Sequence, residues 1–202
     1  MDFLAPRYPL LIVLSGPSGV GKDTVLRRLQ ARRLPLHFVV TATNRSPRRG
    51  EVDGRDYFFI STAQFEKLIA ENELLEYSVV YNDYKGVPKQ QVRAALASGR
   101  DVIMRVDVQG AAKIRALVPE AVLIFLNAES PESLQRRLSA RDADTPESLQ
   151  IRLAAAQREV EQATLFDYLV INREQAVEAT VDKIVAIIEA EHCRVKPRRV
   201  EL

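Results

Sequence analysis

Apolar residues gather in five short runs along this chain: Leu10–Leu14, Phe38–Thr41, Val102–Val106, Val122–Leu126 and Tyr168–Ile171. Unbroken runs of this length, without polar alternation, predict strands buried on both faces. Between most of them apolar positions recur every three or four residues. That period predicts amphipathic helices over Lys22–Arg33, Lys89–Ala97, Gly110–Leu117, Pro131–Ala140, Glu147–Thr164 and Gln175–Glu191. In the last of these Val177, Val181, Ile184, Val185 and Ile188 share one face. Strands alternating with helices predict an α/β fold with a parallel sheet covered on both sides.

Two stretches break the alternation. Residues 43–86 are polar and rich in Arg and Tyr, with short strands at Tyr57–Ile60 and Leu75–Val80 and a helix at Thr62–Glu71. They predict an inserted lobe. Residues 138–152 place several charges and Pro146 in a short connection, which predicts a mobile flap between two helices. The tail, Arg194–Leu202, carries Lys196, Arg198 and Arg199 and reads as a frayed, solvated end.

Composition narrows the class. The chain has 202 residues, 47% of them hydrophobic, enough for one α/β unit with a sizeable core. No apolar run nears the roughly 18 residues of a membrane span, and the N-terminus lacks the pattern of a secretory signal. Cys193 is the one cysteine, so no internal disulfide forms, which suits a reducing, cytoplasmic setting. A net charge of +2 gives no global attraction to nucleic acid.

The chemistry begins behind the first run. Residues Gly16–Thr24 read GPSGVGKDT between a predicted strand and a predicted helix. The spacing of Gly16, Gly21 and Lys22 is that of a phosphate-binding P-loop. Glycines let successive N–H groups point inward, the helix adds its positive end, and Lys22 brings a cation to the outer phosphates. After such a lysine a Ser or Thr normally meets magnesium; here Asp23 follows, then Thr24, and either oxygen suits Mg²⁺. Farther on, TATNRSPRRGEVDGRDY spans Thr41–Tyr57. Pro47 stiffens the turn so that Arg45 and Arg48 converge, and with Tyr57 they form a clamp for a phosphate dianion.

These motifs, with F-x-x-x-I-x-x-x-x-L-L-E over Phe65–Glu76 and V-D-x-Q-G-A over Val106–Ala111, resemble the guanylate kinases, and the likeness runs from about Leu10 to Ala190. The combination of GKD, YKG-x-PKQQ and RVD-x-QGA is similar to the plant-organelle-type branch. The resemblance implies a P-loop NTPase-type sheet flanked by helices, with a core of about 1–40, 88–137 and 153–192, a nucleoside-monophosphate lobe of about 41–87 and a lid of about 138–152. It implies ATP and GMP as substrates and Mg²⁺ as cofactor, with neither nucleic acid nor membrane as partner. Gly16, Pro17, Ser18, Gly19, Val20, Gly21, Lys22, Asp23 and Thr24 would hold ATP, with Asn172 near its adenine. Arg45, Arg48 and Tyr57 would hold the GMP phosphate, and Thr41, Glu76 and Asp107 the guanine. Arg137, Arg141 and Arg152 would act with Lys22 on the transferring phosphoryl group.

Departures from the family pattern fall at Lys85, where a tyrosine is usual, at Val87, where a hydroxyl residue is usual, at Asp142, where a glycine is usual, and at Arg105, where an acid is usual. No general base is needed, because a phosphate monoester with a second pKa of about 6 is already anionic at neutral pH. His37 and His192, without an evident partner, fit that expectation. Two other readings remain at this point: a kinase-inactive binding module, and a kinase for another phosphorylated acceptor such as ribose 1,5-bisphosphate.

Overall fold

The apolar runs pair, but not all as the pattern predicts. A computed structural model describes residues 7–48, 50–80, 83–139 and 146–202. The elements are β1 (Leu11–Ser15), α1 (Lys22–Ala31), β2 (Leu36–Phe38), β3 (Ala42–Thr43), β4 (Phe58–Phe59), α2 (Thr62–Ala70), β5 (Leu74–Val80) and β6 (Asp83–Pro88). There follow α3 (Lys89–Ala97), β7 (Asp101–Arg105), α4 (Val108–Leu117), β8 (Val122–Ala128), α5 (Pro131–Ser139), α6 (Pro146–Glu161), β9 (Tyr168–Asn172) and α7 (Val177–His192). A 3₁₀ turn, Gln162–Leu165, joins α6 to β9.

Five strands form a parallel sheet in the order β2-β7-β1-β8-β9. In β1 alternate residues point to opposite faces, and both faces are covered. Ile12 and Leu14 join Val25, Leu29, Val181 and Ile184 on one side. Leu11 and Val13 join Val92, Ile114 and Leu123 on the other. Each such side chain contributes about 1.5–3 kcal/mol when fully buried, which is why this strand reads as a continuous apolar run.

A second, mixed sheet has the order β4-β3-β6-β5. The run Phe38–Thr41 is not one strand. β2 ends at Phe38, Val39 N–H still bonds Ile103 O at 2.9 Å, and Ala42 opens β3 in the other sheet. Gln91 holds the crossing, accepting from Val40 N at 2.9 Å and donating to Val40 O at 2.6 Å. The apolar run is therefore a bridge between sheets. Strand β6 went unpredicted because Asp83, Lys85, Gly86 and Pro88 are poor strand formers. Pairing with β5 imposes the conformation, and a side chain at Gly86 would meet Glu76 O at 2.9 Å and the Phe65 ring at 3.0 Å.

Pro146, expected within a connection, instead opens α6 as its first residue, where its missing N–H costs nothing. Arg141 and Asp142 lie outside the described residues. The tail is not frayed. Arg198 is 9% exposed and bonds Glu191 through Nε at 2.8 Å, while Tyr168 donates to the same carboxylate at 2.6 Å. His192 does have a partner, Asp101, at 2.8 Å, and the other Asp101 oxygen accepts from Leu10 N–H at 2.8 Å. The His192–Asp101 pair joins residues 91 apart in sequence.

Candidate active site

Strand β1 runs straight into the P-loop. Gly16, Gly19 and Gly21 have φ of 137°, 80° and 100°, backbone that side-chain-bearing residues rarely adopt. A Cβ on Gly16 would lie 2.0 Å from Leu126 O of β8. Gly21 caps α1, and Lys22 and Asp23 form its first turn. Lys22 Nζ donates back to Gly16 O and, at 2.9 Å, to Pro17 O.

The loop is braced from behind. Asn172, 6% exposed at the end of β9, donates to Val20 O at 2.8 Å and accepts from the Thr180 hydroxyl at 3.1 Å. Arg137 of α5 donates to Val20 O at 2.9 Å and to Asn172 O at 2.8 Å. Both residues, expected at the nucleotide, grip the P-loop backbone here.

In front of the loop stands a carboxylate that sequence reasoning missed. Glu159 of α6 accepts from Ser18 N–H at 3.3 Å. Burial pushes its pKa up, and the Ser18 N–H and the Lys22 charge pull against that rise. It thus occupies a donor of the anion nest that phosphate would use. Arg152 lies two turns earlier on the same side of α6.

Across the cleft, the second sheet presents the acceptor residues. Arg45 is held bidentately by Glu51, at 2.7 and 2.6 Å, and lies over the Tyr57 ring at 4.8 Å. Glu51 also accepts from Arg48 N–H at 2.7 Å. The Arg45 and Arg48 contacts hold the Glu51 carboxyl down at about 2. Glu51 thus orients the arginine loop. The Lys85 ammonium is pushed below its usual pKa, first by burial and then by the charges of Arg45 and Arg48. Asp83 and Glu51 oppose that shift in part.

The base-reading candidates sit at the other end of the lobe. Burial, and next the charge of Asp107, push the Glu76 carboxyl up to about 7, with Lys113 opposing. Because its folded pKa lies above the unfolded value of 4.5, this group weakens stability as pH rises from 4.5 to 7. Gly110 allows the close approach, since a Cβ there would lie 3.0 Å from Glu76 Oε2. Asp107 caps α4, accepting from Gly110 N–H at 2.7 Å. Ser78, two residues beyond Glu76 on β5, also faces the cleft, a position the β alternation could have flagged. Val87 does not face it; it is 1% exposed and packs with Leu75 and Val92.

One cleft of about 470 Å³ runs from the P-loop to the lobe, with Lys22, Tyr57, Glu76, Lys85, Arg105 and Asp107 among its walls. A second, of about 1000 Å³, runs on from it past Asp23, Thr41 and Tyr57. Among the described residues no group of three or more His, Cys, Asp or Glu could hold a metal by itself. Asp23, half-exposed beside Lys22 on the cleft wall, offers a hard carboxylate oxygen of the kind Mg²⁺ takes. No helix among the described residues is long and apolar enough to cross a membrane.

The family model described as guanylate kinase matches residues 8–191. A guanylate kinase 2 of Oryza sativa subsp. japonica, named chloroplastic/mitochondrial, is 49% identical over 198 residues, 98% of this chain and 70% of its own length. The guanylate kinase of Halalkalibacterium halodurans is 46% identical over 185 residues, covering 92% and 90%. A crystal structure of guanylate kinase from Anaplasma phagocytophilum aligns with a TM-score of 0.76 at 29% identity, covering 95% of this chain and 90% of that one.

Proposed function

We propose a division of labour among the site residues of this chain, which belongs to the guanylate kinase family and is an ATP:GMP phosphotransferase. The P-loop, Gly16–Thr24, takes the ATP phosphates, and Lys22 turns to them from the carbonyls it now holds. Arg45, Arg48, Tyr57 and Lys85 take the GMP phosphate. Glu76 reads guanine, accepting from N1–H and the 2-amino group together, while Thr41 and Asp107 complete the base site. Arg137, Arg141 and Arg152 act with Lys22 on the transferring group, and Arg137 and Asn172 also brace the P-loop.

A GMP phosphate oxygen attacks the γ-phosphorus of ATP, and the bond from that phosphorus to the β,γ-bridging oxygen breaks, leaving ADP and GDP. The obstacle is repulsion between two polyanions, which fixed cations offset while aligning the groups and excluding water. Bound Mg²⁺ would neutralise charge on the ATP phosphates, with Asp23 or Thr24 as its protein oxygen. A lone, exposed Cys193 thiol supports a reducing, cytoplasmic setting.

The cleft that joins the P-loop and Lys22 to Tyr57, Lys85 and Glu76 carries the assignment. Arg45→Ala should raise KM for GMP about 100-fold by removing a charge-assisted phosphate contact, with KM for ATP within about twofold of wild type. Steady-state kinetics with each substrate varied in turn reads this directly. A rise confined to ATP would contradict the assignment.

A further inference from the structure

The sheet order places β7 between β1 and β2. Strand β1 feeds the P-loop, and the chain leaving β2 enters the acceptor lobe through Thr41. Arg105 is the last residue of β7, abreast of Leu14 in the parallel register. Its guanidinium therefore rises from the carboxyl edge of the sheet between the donor and acceptor halves, where ligands gather in open α/β sheets. It lines both the 470 Å³ cleft and the 1000 Å³ cleft. The side chain is 31% exposed, and its one ion pair among the described residues is with Asp23 of α1.

Two departures noted separately in the sequence thus meet as one pair. Asp23 stands where a hydroxyl is usual and Arg105 where an acid is usual, and the two are in contact. Asp23 is itself 54% exposed. An ion pair to so exposed a carboxylate contributes about 0–1 kcal/mol, little reason to hold a guanidinium there. Phosphate offers the same group two parallel charge-assisted bonds. The other phosphate-binding groups show the same resting pattern: Arg45 is on Glu51, Lys22 is on Gly16 O and Pro17 O, and the Ser18 N–H is on Glu159.

We propose that Arg105 is a further catalytic residue, parked on Asp23 in the empty site, which moves onto the phosphates of ATP and GMP and spans the gap between them. The proposal rests on the guanylate kinase reading and adds a contact to it. When Arg105 leaves, the Asp23 carboxylate is open to the magnesium that accompanies ATP, so one cation replaces another on the same oxygens.

Arg105→Met, Asp23→Asn and the double variant test this, with Mg·ATP and GMP turnover and, separately, ADP affinity by calorimetry in EDTA. Arg105→Met should lose about 100-fold in kcat and about tenfold in metal-free ADP affinity. Asp23→Asn, which frees the guanidinium, should bind metal-free ADP at least as tightly as wild type. Metal-free ADP affinity and kcat within about threefold of wild type in Arg105→Met would overturn the proposal. So would one shared defect in both single variants and the double, because Arg105 would then act only by tethering Asp23. If Arg105→Met does not fold, Arg105→Gln carries the same comparison. Wild-type turnover of GMP, run alongside, separates failure of this inference from failure of the functional reading.

Discussion

Replacing Glu76 by Gln should lower kcat/KM for GMP by about 100- to 1000-fold and leave KM for ATP nearly unchanged. A carboxylate accepts from guanine N1–H and the 2-amino group together. An amide must turn its NH₂ toward one of those donors, leaving a buried donor unpaired, and such mismatches carry most of the selectivity of hydrogen-bonding sites. Position amplifies the effect, because the half-buried Glu76 carboxylate packs close over Gly110 on the cleft wall. The pH dependence supplies a second signature. With its pKa raised to about 7, the carboxyl is near half-protonated at neutral pH in the empty lobe, while guanine selects the ionised form. KM for GMP should therefore climb below pH 7 more steeply in wild type than in Glu76→Gln. The GMP phosphate, titrating near pH 6, acts in both and cancels in the comparison. The same shift has a stability sign. Between pH 4.5 and 7 the folded protein binds more protons here than the unfolded chain, so wild type loses stability relative to Glu76→Gln as pH rises through that window. Parallel pH profiles for the two proteins would sink this account of Glu76.

Gly16→Ala should remove ATP binding and destabilise the fold by about 3–4 kcal/mol. The new Cβ would sit 2.0 Å from a backbone oxygen of β8, in the centre of the sheet, at a φ of 137°. Neither neighbour is a flexible side chain that can yield. The P-loop must lift from the sheet, and a displacement of about 1 Å at a reacting group costs about 100-fold in rate. Gly99→Ala is the internal control. Its φ of 76° is also left-handed, but nothing lies within 4 Å of the added carbon. It should cost about 1–2 kcal/mol and leave turnover intact. Thermal melts with calorimetric ADP titrations measure both; a Gly16→Ala protein with wild-type Tm and ADP affinity would refute the argument.

Local chemistry made much of this molecule legible in advance. The P-loop is a strand, a glycine turn and a helix in one short stretch, and its phosphate geometry follows from backbone constraints that neighbours hardly alter. Arg45, Pro47, Arg48 and Tyr57 likewise lie within one loop. Features set by distant pairing were not legible. The polar β6 is a strand because β5 and β3 pair with it from either side. The tail is held as Arg198 reaches Glu191 and Asp167 and Val200 packs against the core. The run Phe38–Thr41 has uniform hydropathy, yet its two ends belong to different sheets, a division that periodicity cannot express. In the site, cations were easy to find and their partners were not. Glu51 and Glu159 look like ordinary surface acids in the sequence, and Asp23 and Arg105 look like two unrelated departures. Each became meaningful when the fold brought a carboxylate to the group that binds phosphate.

The most direct measurement is ADP formation from Mg·ATP with GMP, AMP, UMP and ribose 1,5-bisphosphate as separate acceptors, for wild type and Glu76→Gln. The account predicts rapid turnover with GMP, far slower turnover with the other three, and loss of the GMP preference in Glu76→Gln. Equal turnover of GMP and AMP by wild type, or a GMP preference that survives in Glu76→Gln, would contradict it.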